Sequence, residues 1–204
     1  MLFNDTYKTI IRPSEGVFRD KGSKFIGYAY PIRSENDLKD ILSNLKAEHP
    51  KARHYCWALR LTPDRTVFRV NDDGEPSGTA GKPILNTLLS YDVTNILALV
   101  VRYFGGTLLG VPGLINAYKT VTIEVLNNAE IITQTVNSLY LIKFEHLQMN
   151  DVMRIIKEEA LKVSNQQFDI SCSFDIEIRQ SAVNMVVAKL EKINGISLQF
   201  IRSC

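Results

Sequence analysis

Cys172-Ser173-Phe174-Asp175-Ile176-Glu177-Ile178-Arg179 alternates apolar residues with polar or charged ones from end to end. A period of two marks a strand with one buried face and one wet face. The segments on either side follow from it. Residues 163–170 read as the preceding strand, and residues 138–144 as an earlier one. Between those two, residues 149–161 carry Val152, Ile155 and Ile156 at helical spacing, with Asn150 or Asp151 as N-cap. After the alternating strand, Ser181 caps a helix with Val183, Val186, Val187 and Leu190 on one face, ending near Asn194-Gly195. Residues 196–201 close the series as a strand. The order is βαββαβ, the ferredoxin-like split βαβ. That arrangement hosts many functions and by itself names none.

The character of the chain changes near residue 135. Ten of the eleven glycines and all seven prolines lie before it. The expected division is an N-terminal domain over residues 1–135 and a ferredoxin-like domain over residues 136–204. In the first, residues 17–19 and 24–30 flank Asp20-Lys21-Gly22-Ser23, a hairpin signal. Ser34 caps a helix with Leu38, Ile41, Leu42 and Leu45 in its buried stripe, stopped by His49-Pro50. Tyr55, Trp57, Leu59 and Leu61 alternate with His54, Cys56, Ala58 and Arg60, which predicts a strand with one apolar and one more polar face. Residues 66–70 are its hairpin partner. A helix opens at Pro83, residues 95–103 form a buried strand, and a helix spans about 114–128. The fold class is α+β in two domains, the first a sheet with helices on one face.

The chain has 204 residues, 45% hydrophobic and 23% charged, ordinary globular usage that excludes wholesale disorder. Lys+Arg 24 against Asp+Glu 22 leaves a net charge of +2, too little to grip nucleic acid by bulk charge. Three scattered cysteines without a CxxC pair fit a reducing compartment. The longest apolar run, residues 96–101, falls far short of the roughly twenty residues a bilayer needs. No signal peptide is expected, since residues 1–8 show no basic region followed by an apolar run. A cytoplasmic protein without membrane association is expected.

Three segments ask for a chemical reason. In Arg53-His54-Tyr55-Cys56-Trp57, His54 and Cys56 share a strand face, but a spacing of ~7 Å at Cα and the lack of an orienting carboxylate argue against a catalytic dyad. Arg53 and His54 are candidate ligand contacts. In Asn71-Asp72-Asp73-Gly74-Glu75-Pro76-Ser77-Gly78-Thr79-Ala80-Gly81, three carboxylates within four residues repel unless a cation, basic side chains or backbone amides offset them. The loop is not an EF-hand, and a solvated turn is the plain alternative to a binding loop. Asp72, Asp73, Glu75, Ser77 and Thr79 are its candidate contacts. The third segment runs from Arg102 through Gly105-Gly106 to the GxxG at residues 110–113, a strand, a glycine loop and a helix start. It matches neither GxGxxG nor Walker A, yet leaves a generic anion or RNA-backbone site involving Arg102, Gly105 and Gly106. His49 and His146 read as surface or capping residues, and Cys172 as an incidental thiol.

The same segments resemble the signatures of the IMPACT/YigZ family: Arg53-His54-x-Cys56-Trp57-Ala58, the block from Asp72 to Gly81, and Val101-Arg102-Tyr103-Phe104-Gly105-Gly106-x-x-Leu109-Gly110. The resemblance spans about residues 10 to 130, and the remainder is similar to the small C-terminal domain of bacterial members. Where members often read Gly-Gly-Leu-x-Arg-Ala-Tyr, this chain has Pro112-Gly113-Leu114-Ile115-Asn116-Ala117-Tyr118, without the arginine. The resemblance implies an N-terminal fold like the second domain of a small-subunit ribosomal protein and a C-terminal domain like the last domain of elongation factor G. It implies no cofactor and no catalytic residue. Eukaryotic relatives regulate translation through protein contacts, and bacterial members are presumed to touch RNA or the ribosome.

The expected function is therefore a non-enzymatic, translation-associated binding protein. It would contact RNA or the ribosome through the polar sheet face (Arg53, His54, Arg60) and the glycine loops, or a regulatory protein partner. The alternative is a divalent-metal-dependent phosphoryl-transfer or hydrolytic enzyme built on Asp72-Asp73-Gly74-Glu75.

Overall fold

The computed structural model describes residues 5–203. The chain has two compact units: residues 7–134, and residues from 135 onward together with Asp5 and Thr6. Along the first lie β1 (Thr6–Ile10), β2 (Ser14–Asp20), β3 (Ser23–Pro31), α1 (Asp37–Glu48), β4 (His54–Leu61), β5 (Val67–Asn71), α2 (Gly81–Ser90), β6 (Ile96–Tyr103), α3 (Gly110–Asn127) and β7 (Ile131–Thr135). Five strands make one antiparallel sheet in the order β2-β3-β6-β4-β5.

Strand β6 is apolar along six consecutive residues because it is central and covered on both sides. On one face Phe25, Ala29, Cys56, Ala58, Ala98 and Val100 pack against Ile84 and Leu88 of α2 and Ala117, Tyr118, Val121 and Val125 of α3. Small residues there let the helices come close. At Gly27 a Cβ would lie 2.6 Å from a Val125 methyl. On the other face Ile26, Tyr28, Tyr55, Leu99 and Val101 meet Leu45, Ile41 and Leu42 of α1. The expected sheet with helices on one face is corrected accordingly: α1 covers the second face, making three layers. The supposed polar face of β4 is the side on which α2 and α3 sit, so it is no open binding surface. Arg60, assigned to that surface, is buried.

Two local readings shift as well. Helix α3 starts at Gly110, so the GxxG at 110–113 is helical rather than a loop; Pro112 fits because first-turn N–H groups need no intrahelical partner. The N-cap of α1 is Asn36, and Ser34 Oγ accepts a hydrogen bond from the Asn36 N–H (3.0 Å). His49, read as a surface or capping residue, is the C-cap of α1 and is buried, within hydrogen-bonding distance of the hydroxyls of Tyr28 (2.7 Å) and Tyr103 (2.9 Å). Strands β1 and β7, not foreseen, form a two-stranded ribbon.

The second unit runs β8 (Asn137–Phe144), α4 (Met149–Glu158), β9 (Lys162–Phe168), β10 (Cys172–Arg179), α5 (Val183–Leu190) and β11 (Ser197–Ser203). Its sheet order is β11-β8-β10-β9, the ferredoxin-like order, as the βαββαβ reading requires. Cys172, Phe174, Ile176 and Ile178 are buried with Ile142 and Phe144 against Val152, Ile155, Val186 and Leu190 of the helices. Cys172 Sγ lies 3.5 Å from Nδ1 of the exposed His146. No helix among the described residues is long and apolar enough to cross a membrane.

Candidate functional site

The three singled-out segments meet at one end of the five-stranded sheet. Strand pairing sets His54 of β4 opposite Arg102 of β6, and the Arg53 N–H donates to the Arg102 carbonyl (2.9 Å). The loop after β5 folds back over this end and brings Glu75 into the interior, 8% exposed. Glu75 Oε1 accepts hydrogen bonds from Arg102 Nη1 and from the Tyr118 hydroxyl of α3 (2.8 Å). His54 Nδ1 lies 2.8 Å from the Asp73 carbonyl oxygen. A carbonyl only accepts, so the proton sits on Nδ1, and Nε2 faces Glu75 Oε1 at 3.9 Å. The Arg102 guanidinium lies over the rings of Phe25 (5.3 Å) and Phe104 (5.7 Å), and its buried Nε has no partner among the described residues.

The repulsion among the loop carboxylates is offset from within the chain. Asp72 Oδ1 accepts from the N–H groups of Ala80 (3.0 Å) and Gly81 (2.8 Å), and its Oδ2 accepts from Gly78 N–H (2.8 Å). That satisfies orphan donors at the start of α2, where negative charge is favoured. Asp73 Oδ2 accepts from the Tyr55 N–H (2.6 Å), and Glu75 has its arginine. Each acid therefore holds the loop closed. Among the described residues, no three His, Cys, Asp or Glu side chains are arranged to hold a metal ion.

Cys56 is fully buried. Its thiol donates its one proton to the Asp72 carbonyl (2.9 Å), with the Tyr118 hydroxyl also in reach of Sγ (3.3 Å), and does not engage His54. Burial pushes its pKa well above the ordinary thiol value, so the nucleophilic thiolate is suppressed. Burial likewise raises the Tyr118 hydroxyl, which stays a donor to Glu75.

Of the predicted contacts, His54, Asp73, Glu75 and Arg102 come together directly, and Asp72 braces the loop they share. Thr79 is buried, its hydroxyl donating to the Pro76 carbonyl (2.6 Å), and it serves the turn. Arg53 and Ser77 are exposed. Gly105 presses on the β2–β3 turn, where a Cβ would lie 1.9 Å from the Gly22 carbonyl carbon. Gly106 is exposed at φ +87° over open space. Two members escaped the sequence reading. Tyr118 sits in the buried stripe with Leu114, Ala117 and Val121, where its hydroxyl was the available signal. Phe104, 43% exposed beside an arginine and a glycine pair, was the other. Asn116, where the resemblance led one to look for arginine, is exposed on α3.

Comparison with known proteins returns matches over most of the chain. The family model for the Impact N-terminal domain matches residues 21–126. An IMPACT family member of Haemophilus influenzae is 31% identical over 191 residues, 91% of this chain and 93% of that protein. The IMPACT family member YigZ of Escherichia coli is 32% identical over 183 residues, 89% of this chain and 90% of its own. A crystal structure of a hypothetical protein superposes with a TM-score of 0.72 at 29% identity, covering 97% of this chain and 98% of the other.

Proposed function

This chain belongs to the IMPACT family, and from that premise we propose that it is a non-enzymatic, translation-associated binding protein. The end of the sheet that carries Arg53 and Phe104 contacts RNA on the ribosome. The family resemblance supplies the translation context, through its eukaryotic regulators. The observation that carries the RNA contact is Phe104. Its half-exposed ring is backed by the Arg102 guanidinium, and the exposed Arg53 is hydrogen-bonded through its backbone to the same residue. An aromatic face beside cationic groups is how single-stranded nucleic acid is held by stacking without a large net charge, and stacking contributes about 1–3 kcal/mol per base. The rigid loop from Asp72 to Gly81 serves as scaffold.

A metal-dependent enzyme is the weaker reading, because Asp72, Asp73 and Glu75 already accept bonds from backbone amides, Arg102 and Tyr118. A protein partner has one observation in its favour. Leu108 (82% exposed), Val111 and Ile115 form an exposed apolar stripe leading into α3.

The test is sedimentation of the purified protein with ribosomes and with tRNA, at low and at physiological salt. Association lost in Arg53→Ala/Phe104→Ala is the expected outcome. Absence of association at both salts, or association indifferent to the double variant, overturns the RNA reading. Ribosome association that survives nuclease treatment points to the apolar stripe.

A further inference from the structure

The opposite end of the same sheet carries a polar cluster that the reading above does not use. Arg60 lies six residues along β4 from His54, ~20 Å away at strand rise. Its side chain is 9% exposed, with Nη1 donating to the Val93 carbonyl (3.1 Å) and 3.7 Å from Asp92 Oδ1. Arg65, from the β4–β5 turn, donates from Nη2 to Asp92 Oδ2 (3.0 Å). Two guanidiniums thus share one carboxylate. The Nε of each is buried and has no partner among the described residues. Burial lowers the pKa of Arg60, Asp92 opposes that shift, and the neighbouring Arg65 adds to it. A buried donor left unmade costs free energy, and an uncompensated buried cation costs more.

The backbone around the pair is unusual too. Thr62 (φ +67°), Arg65 (φ +65°), Asp92 (φ +54°) and Asn95 (φ +54°) all occupy the left-handed region without being glycine. They are cross-braced by Thr62 N–H to Asn95 Oδ1 (3.0 Å) and Thr94 Oγ1 to the Thr62 carbonyl (2.9 Å). Such conformations persist where the surroundings over-determine them, and they gather at ligand clamps.

We propose that Arg60 and Arg65 form an oxyanion site for a phosphate group, with Asp92 as the internal carboxylate that competes for it. The Asp92 carboxylate has two oxygens and reaches Arg60 only at 3.7 Å, whereas a phosphoryl group offers three or four with which to hydrogen-bond both guanidiniums. Half-exposed Asp92 is the member free to give way. The site does not depend on the translation reading.

The experiment is calorimetric titration of the full chain with inorganic phosphate against chloride at matched ionic strength. Arg65→Gln is expected to weaken binding at least tenfold, and Asp92→Asn to tighten it several-fold. A purely structural cluster makes the opposite prediction for Asp92→Asn, which would then lose stability in either buffer with no compensating phosphate affinity. Thermal melts in chloride verify folding, and Arg65, being more exposed than Arg60, is the arginine to change. Repeating the titration with ribose 5-phosphate and with a dinucleotide separates a terminal phosphate from a nucleic-acid backbone as the source. No phosphate binding in either wild type or Asp92→Asn overturns the proposal. So does Arg65→Gln binding phosphate like wild type. Binding must also survive Arg53→Ala/Phe104→Ala, which distinguishes this site from the one at the other end of the sheet.

Discussion

Glu75 is a carboxylate taken out of water and matched by one guanidinium and one phenol. Removing its charge leaves Arg102 buried without a counter-charge, a change that costs about 3–5 kcal/mol. Urea denaturation of Glu75→Gln is expected to show a loss of that size. Glu75→Leu/Arg102→Met, which removes both charges, is expected to recover most of it. A double variant no more stable than Glu75→Gln would mean the pair is not energetically linked. Cys56 yields a second prediction at this scale. Its buried, protonated thiol is expected to resist a thiol reagent in the folded protein and to react once denaturant is added. Rapid modification of Cys56 under native conditions would contradict its enclosure. The residue types of this site were legible from the sequence, since three acids in four residues need something to offset them. What offsets them was not. Arg102 lies 27 positions from Glu75 and Tyr118 lies 43, and no local pattern encodes a contact at that distance. The acids therefore looked equally available for metal, whereas the fold spends each on a specific donor.

At the scale of elements, legibility followed the number of wet faces. Strand β10 has one, so its alternation was unambiguous and the ferredoxin-like unit followed from it. Strand β4 has none. His54 and Arg60 made the face they share with the small Cys56 and Ala58 read as the more polar one, and Cys56 and Ala58 are small because α2 and α3 pack there. Size and polarity give the same signal in one sequence, and steric need decided between them. The β1–β7 ribbon left no trace because its strands are more than a hundred residues apart and share no turn. The glycine loop was legible as special, and its geometry makes a prediction. In Gly105→Ala the new Cβ would meet Gly22 carbonyl carbon and Ser23 nitrogen at 1.9 and 2.1 Å, all backbone atoms that cannot rotate away. Gly106→Ala meets open space and bears only the left-handed conformation, at about 1 kcal/mol. Thermal melts should rank Gly105→Ala well below Gly106→Ala. Equal losses would mean that the loop does not pack on the β2–β3 turn.

For the whole molecule, the chain's beginning matters to the unit formed by its end. Asp5 is 5% exposed and accepts from Arg179 Nε (2.7 Å), Arg179 Nη2 (2.9 Å) and the Ser181 N–H (3.3 Å) of that unit. Its main chain joins in, with the Val136 N–H donating to the Asp5 carbonyl (2.7 Å). Asp5 and Arg179 are 174 positions apart, so a boundary drawn near residue 135 from composition could not assign Asp5 to the second unit. The hydrogen bonds from Arg179, followed by those from Ser181, hold the Asp5 carboxyl well below the usual carboxylate range. A folded pKa below the unfolded value of about 3.9 means the folded state favours the ionised form. The resulting stability is complete above about pH 5 and fades as pH falls through 4 toward the folded value. Arg179 stays charged throughout, so the carboxyl sets the window. Urea midpoints for wild type and Asp5→Asn should therefore differ by a constant amount from pH 5 to pH 7 and converge below pH 4. A gap that persists unchanged at pH 2.5 would show that Asp5 acts through shape rather than charge. A fragment beginning at residue 135 lacks Asp5 altogether, and its stability should be at most that of Asp5→Asn at neutral pH and show none of the acid dependence that wild type owes to this carboxyl.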